Sequence, residues 1–116
     1  MKPRVVTAKE IVDYFTRSPN GIEIETAAGK ARFIVKPNDL RNGLYYFPKS
    51  TMKRRHHTKF YFERFINQYN KLLSFTSSHY SNISANGSYA LGAIKYFINN
   101  CSAQQGDAPE PATPAR

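Results

Sequence analysis

The chain has 116 residues, 41% of them hydrophobic and 14% aromatic, with one cysteine, no tryptophan and a net charge of +9 at pH 7. That length fits a single domain with one modest core, in which Phe and Tyr supply the large buried areas. The lone Cys101 excludes an internal disulfide and leaves no Cys/His set with zinc-binding spacing, no stretch approaches the roughly eighteen apolar residues of a membrane span, and the N-terminus lacks the apolar core of a signal peptide. The expected setting is therefore cytoplasmic, nucleoid-associated in a bacterium or nuclear in a eukaryote, with no membrane, cofactor or metal.

Thr7-Ala-Lys-Glu10 has the form of a capping box, in which the Thr7 hydroxyl accepts from the Glu10 amide and the Glu10 carboxylate accepts from the Thr7 amide. It opens a helix over about 7 to 17 whose apolar stripe is Ala8, Ile11, Val12 and Phe15, closed by Ser18-Pro-Asn-Gly21. Gly21-Ile-Glu-Ile-Glu-Thr26 and Ala31-Arg-Phe-Ile-Val35 alternate with period two around a Gly-containing connection, which predicts a hairpin. Ile22, Ile24, Phe33 and Val35 are expected on its core face, with Glu23 and Glu25 outside, near Lys30 and Arg32. Leu44-Tyr-Tyr-Phe47 reads as a third strand, ended by Pro48.

Phe62, Phe65, Ile66, Tyr69, Leu72 and Leu73 recur at helical spacing, so an amphipathic helix is expected over 58 to 75 with Thr58 as its N-cap. The Ser/Asn-rich stretch 77 to 87 breaks it. A last helix over about 88 to 100 places Ala90, Leu91, Ile94, Phe97, Ile98 and Cys101 on one face. The resulting expectation is an α+β domain over 1–101, with an N-terminal helix, a small three-stranded antiparallel sheet and two C-terminal helices packed on one face, followed by a disordered Pro/Ala-rich tail over 102–116.

Charge is unevenly distributed along this framework. Before residue 30 and after residue 71 cations and carboxylates cancel, so the whole excess lies between, where eleven Lys and Arg face only Asp39 and Glu63. The densest part is KSTMKRRHHTKFYF, residues 49 to 62. Clustered cations neutralise phosphates and release counterions, which points to nucleic acid. The candidate contacts are Lys49, Lys53, Arg54, Arg55, His56, His57 and Lys59, extended by Lys30, Arg32, Lys36, Arg41, Arg64 and Lys71, with Tyr61 beside them and Asn82 and Asn86 as candidate adenine readers.

Aromatics flank the basic run on both sides: Tyr45, Tyr46 and Phe47 before it, Phe60 and Tyr61 after it. Exposed, they would stack on unpaired bases. Packed inward, they would leave the basic loop and the following helix N-terminus as a clamp on duplex, with Arg54 or Arg55 reaching a guanine edge.

Enzyme chemistry has weaker signals. Glu23 and Glu25 share a strand face, but no Lys follows two residues after them, as a metal-dependent nuclease pattern requires. His56 and His57 are adjacent, so in a strand they point to opposite faces and in a helix lie about 100° apart, and neither arrangement chelates one ion well. Cys101 sits on an apolar stripe, and the glycines between 84 and 92 do not form a phosphate loop. The expected function is a non-enzymatic nucleic-acid-binding module, with duplex DNA favoured over single-stranded DNA or RNA. The alternative is a small interaction or inhibitor protein that docks on an acidic protein surface.

Overall fold

A computed structural model describes residues 3–107, with side chains described to Cys101. It has three α-helices and a four-stranded antiparallel sheet of order β1-β2-β3-β4. Helix α1 (Ala8–Thr16) begins with the capping box, Glu10 N donating to Thr7 Oγ1 at 3.1 Å and Thr7 N donating to Glu10 Oε2 at 2.7 Å. Strands β1 (Ile22–Glu25) and β2 (Arg32–Pro37) pair in the expected hairpin, with Ile22 opposite Val35 and Ile24 opposite Phe33. Strand β3 (Leu44–Pro48) follows.

The fourth strand was not expected. The basic segment between β3 and the long helix is not wholly a loop, because Arg55–His57 forms β4, with Leu44 opposite His57 and Tyr46 opposite Arg55. Its three residues lack the β-branched, alternating pattern that marks a strand in sequence, and the pairing is held by what His57 meets in the core. Helix α2 (Lys59–Leu72) starts from Thr58 as expected, but the Thr58 side chain makes no capping bond. It ends at Leu72, short of the expected 75, because Leu73 turns into the left-handed region at φ 49°, and Leu72 and Leu73 are exposed instead of completing the buried stripe. A short 3₁₀ helix (Ser77–Tyr80) leads to α3 (Gly87–Asp107), which continues to Asp107 through residues expected to belong to the irregular tail. The rest of that tail, 108–116, lies outside the described residues.

The helices share one face of the sheet, where Phe15, Phe33, Val35, Tyr46, Phe65, Tyr69, Tyr80, Leu91 and Ile94 are fully buried. Helix α3 runs through the middle of this layer, with Ala90, Leu91, Gly92, Ala93 and Ile94 buried in succession. Small residues let its backbone approach β1, and a Cβ on Gly92 would stand 2.6 Å from the Glu25 carbonyl oxygen. The N-terminal segment is tied to α2 by Asn70, which accepts from Val6 N at 2.9 Å and donates to Val6 O at 2.8 Å. Among the described residues no helix is long and apolar enough to cross a membrane.

Gly43 controls how closely the β2–β3 turn approaches β4, since a Cβ there would collide with the His57 carbonyl oxygen and come within 3.1 Å of the Thr58 carbonyl carbon. Backbone cannot move aside as a flexible side chain does. Gly43→Ala should therefore destabilise the fold by roughly 1–3 kcal/mol, the usual range for overpacking, read as a lower urea midpoint. An unchanged midpoint would show that β4 is free to shift.

Candidate nucleic-acid interface

Period-two geometry divides the basic run between two faces. On the core side of β4 His57 is buried, 3% exposed. Tyr46 Oη lies 2.8 Å from His57 Nδ1, and His57 Nε2 lies 2.7 Å from Ser84 Oγ. Tyr46 is fully buried, and burial raises its hydroxyl well above the ordinary tyrosine range, so it stays protonated. Its hydroxyl has no other hydrogen-bond partner among the described residues, so it donates to Nδ1. The ring proton then resides on Nε2 and is donated to Ser84 Oγ, which also accepts from Asn86 N at 2.9 Å.

A serine nucleophile needs its histidine to accept the hydroxyl proton, whereas here the histidine donates to Ser84. The Tyr46–His57–Ser84 chain is a structural tether from β3 through β4 to the segment before α3. His57 is therefore not an accessible phosphate ligand, contrary to its place among the expected contacts.

Arg55 points to the same side as Tyr46. Its Nη1 donates to Asn86 Oδ1 at 2.9 Å, and its guanidinium stands 5.9 Å from the centroid of the Tyr89 ring. Asn86 Nδ2 in turn donates to His56 O at 3.2 Å. Both ends of the Asn86 amide are thus occupied in holding β4, which removes it as a free adenine reader. Asn82 lies exposed in the turn before α3.

The opposite face of the sheet is covered by none of the helices. One cross-strand row there is Lys36, Tyr45 and His56, and the next is Glu23, Ile34 and Phe47. Arg54, just before β4, lays its guanidinium 4.6 Å from the Tyr45 ring centroid, within cation–π range. Beyond this group Arg32 Nε meets Glu23 Oε2 at 2.8 Å and its Nη1 meets Glu25 Oε2 at 3.5 Å, while Lys49 Nζ meets Glu23 Oε1 at 3.4 Å. Hydrogen bonds from Arg32 and Lys49 hold the Glu23 carboxyl below its ordinary pKa. Two expected phosphate ligands, Arg32 and Lys49, are thus engaged with carboxylates, and Lys59 pairs with Glu63 at 3.3 Å.

The remaining expected contacts scatter. Lys53 is exposed between β3 and β4, and Lys30 is exposed in the β1–β2 turn. Arg41 occupies the β2–β3 turn with φ 55°, in a cleft shared with α1 and Lys59. Arg64 is exposed on α2, where Phe60 and Tyr61 are 66% and 55% exposed, and Lys71 is exposed in the last turn of the same helix. Tyr45 and Phe47, expected only as flanking aromatics of undecided direction, are the residues of β3 that take the open face. Strand alternation across Leu44–Pro48 was the signal for them, since with Tyr46 inward its two neighbours must point outward. Among the described residues no group of three His, Cys, Asp or Glu is placed to hold a metal ion. No protein-family model matches the chain, and comparison with curated proteins and with solved structures found no match.

Burial, with a smaller contribution from His56, lowers the His57 pKa from 6.5 to about 4. Between those values the unfolded chain takes up a proton that the folded chain refuses, so stability is lost as pH falls. The loss attributable to this group should approach roughly 3 kcal/mol from pH 7 to pH 4. It should appear as the difference in pH dependence between the wild type and His57→Phe in urea unfolding. Parallel pH profiles would mean that His57 is not held neutral.

Proposed function

We propose that this chain is a non-enzymatic nucleic-acid-binding module that grips phosphates from the uncovered side of its sheet and the adjoining β3–β4 connection. The observation that supports the reading most directly is the grouping of Arg54, Lys36 and His56 around Tyr45 on a face that no helix covers. The local charge excess adds to this, because among the described residues no carboxylate pairs with Lys36, Lys53, Arg54 or Arg64. Unpaired surface cations are the groups that exchange their counterions for a phosphate backbone. Arg32 and Lys49 sit at the margin of the face, where their ion pairs neutralise Glu23 and Glu25 and so remove repulsion toward a polyanion. Duplex DNA, the form expected from the sequence, is the probe that reads this phosphate grip without contact to base faces.

Binding measured by mobility shift should weaken steeply with salt, with a logarithmic slope of about −0.9 per duplex phosphate neutralised. Lys53→Ala combined with Arg54→Ala should lower affinity and make the slope shallower by about two such contacts. Neither side chain belongs to the core, so the fold should be unaffected. Unchanged affinity in the double variant would overturn the assignment. A bound partner that persists after nuclease treatment would transfer the surface to an acidic protein.

A further inference from the structure

We infer that the open sheet face is a stacking platform for the bases of an unpaired nucleic-acid strand, a refinement that rests on the nucleic-acid reading above. An antiparallel sheet with one solvated face normally places polar residues there. Here β3 places two large aromatics on it, and Tyr45 and Phe47 lie half-buried with ring centroids 6.3 Å apart and their planes at 83°, edge to face. His56 extends the row from β4, its ring 6.4 Å from that of Tyr45. Ile34 fills the floor beside Phe47.

The core gives no reason for these rings, because Tyr46 and Leu44 already fill the inner side of the strand. Cations stand beside the aromatics: Arg54 over Tyr45, and Lys36 in register with it. Rings that offer π surface, with positive charge at phosphate distance from them, are the two components of sequence-tolerant single-strand binding. A paired duplex keeps its base faces stacked on one another and offers none to such a surface.

A shallow cleft of about 380 Å³ adjoins the Tyr45 end of the row, lined by Tyr45, Arg54, His56, Asn38 and Leu40, with Asp39 the acidic group at its wall. Leu40 is 80% exposed there. The cleft gives a splayed base an apolar and polar wall next to the stacking rings. Glu23 lies on the same face, but its charge is held by Arg32 and Lys49.

The chain contains no tryptophan, so Phe47→Trp installs a single fluorescent reporter on the platform. Three probes of equal length, about a dozen nucleotides, separate the components: oligothymidylate, an abasic strand with the same phosphates, and a duplex. Oligothymidylate should bind at least about tenfold more tightly than the abasic strand and quench the indole fluorescence of the Phe47→Trp variant. Phe47→Leu and Tyr45→Leu keep apolar volume while removing the ring. Each should weaken oligothymidylate binding by roughly tenfold and leave abasic-strand binding unchanged, whereas Phe47→Trp, which keeps an aromatic ring at that position, should retain it.

Equal affinity for all three probes, still sensitive to Lys53→Ala and Arg54→Ala, would keep the phosphate grip and overturn the base platform. A duplex bound more tightly than oligothymidylate would overturn it as well. No binding to any probe would overturn both readings. A dimer in sedimentation that Phe47→Leu dissolves, without response to oligonucleotide, would give the face to a second copy of the chain and overturn the proposal.

Discussion

The hydrogen-bonded chain from Tyr46 through His57 to Ser84 is the constraint on which the arrangement of the surface depends. A three-residue strand contributes few ladder bonds, and an edge strand of Arg-His-His has little intrinsic preference for the extended state. Burying one imidazole between two hydroxyls changes that balance. Once His57 is fixed inward and both ring nitrogens are satisfied, release of β4 would leave the Tyr46 hydroxyl unpaired in the core. The direction of every neighbouring side chain then follows from the pleat.

That one anchoring decides which cations are available. Arg55 falls on the helical side, where Asn86 and the Tyr89 ring hold it, while His56 and Arg54 face the open side and Tyr45. A basic run that looks uniform in one dimension thus becomes a structural part and a surface part. The surface part then meets the aromatic residues of β3, separated from them in the chain by the β3–β4 connection and directly adjacent in the sheet. The ion pairs of Arg32 and Lys49 with Glu23 sit farther along the same face. Exposed pairs of this kind contribute little to stability, and their consequence here is electrostatic: they cancel the carboxylate that would otherwise repel a polyanion.

Much of the framework was legible because local chemistry and tertiary context agree. The capping box at Thr7, the alternation that sets the core face of β1 and β2, and the stripe of Phe62, Phe65, Ile66 and Tyr69 on α2 each lead directly to the observed element. The fourth strand was not legible, because its pairing depends on a buried histidine that nothing local marks as a core residue. Ser84, its partner, is 27 positions away in a stretch that reads as a polar connector. The continuation of α3 to Asp107 ran against the Ser/Gln/Gly composition of that stretch. The candidate site was half legible: the charge partition located its region, but which cations are committed to carboxylates and which rings face outward required the sheet register.

A nucleic acid bound as proposed lies on the sheet face bearing Tyr45 and His56, with β4 pinned from the core side by His57. Mapping amide and side-chain chemical-shift changes by NMR during titration with an oligonucleotide tests this most directly. The largest shifts are expected at Lys36, Tyr45, Phe47, Arg54 and His56, with Arg55, His57, Ser84 and Asn86 nearly unmoved. Shifts centred on α2 around Phe60, Tyr61 and Arg64, or on the segment 77–87, with the sheet face silent, would contradict this placement.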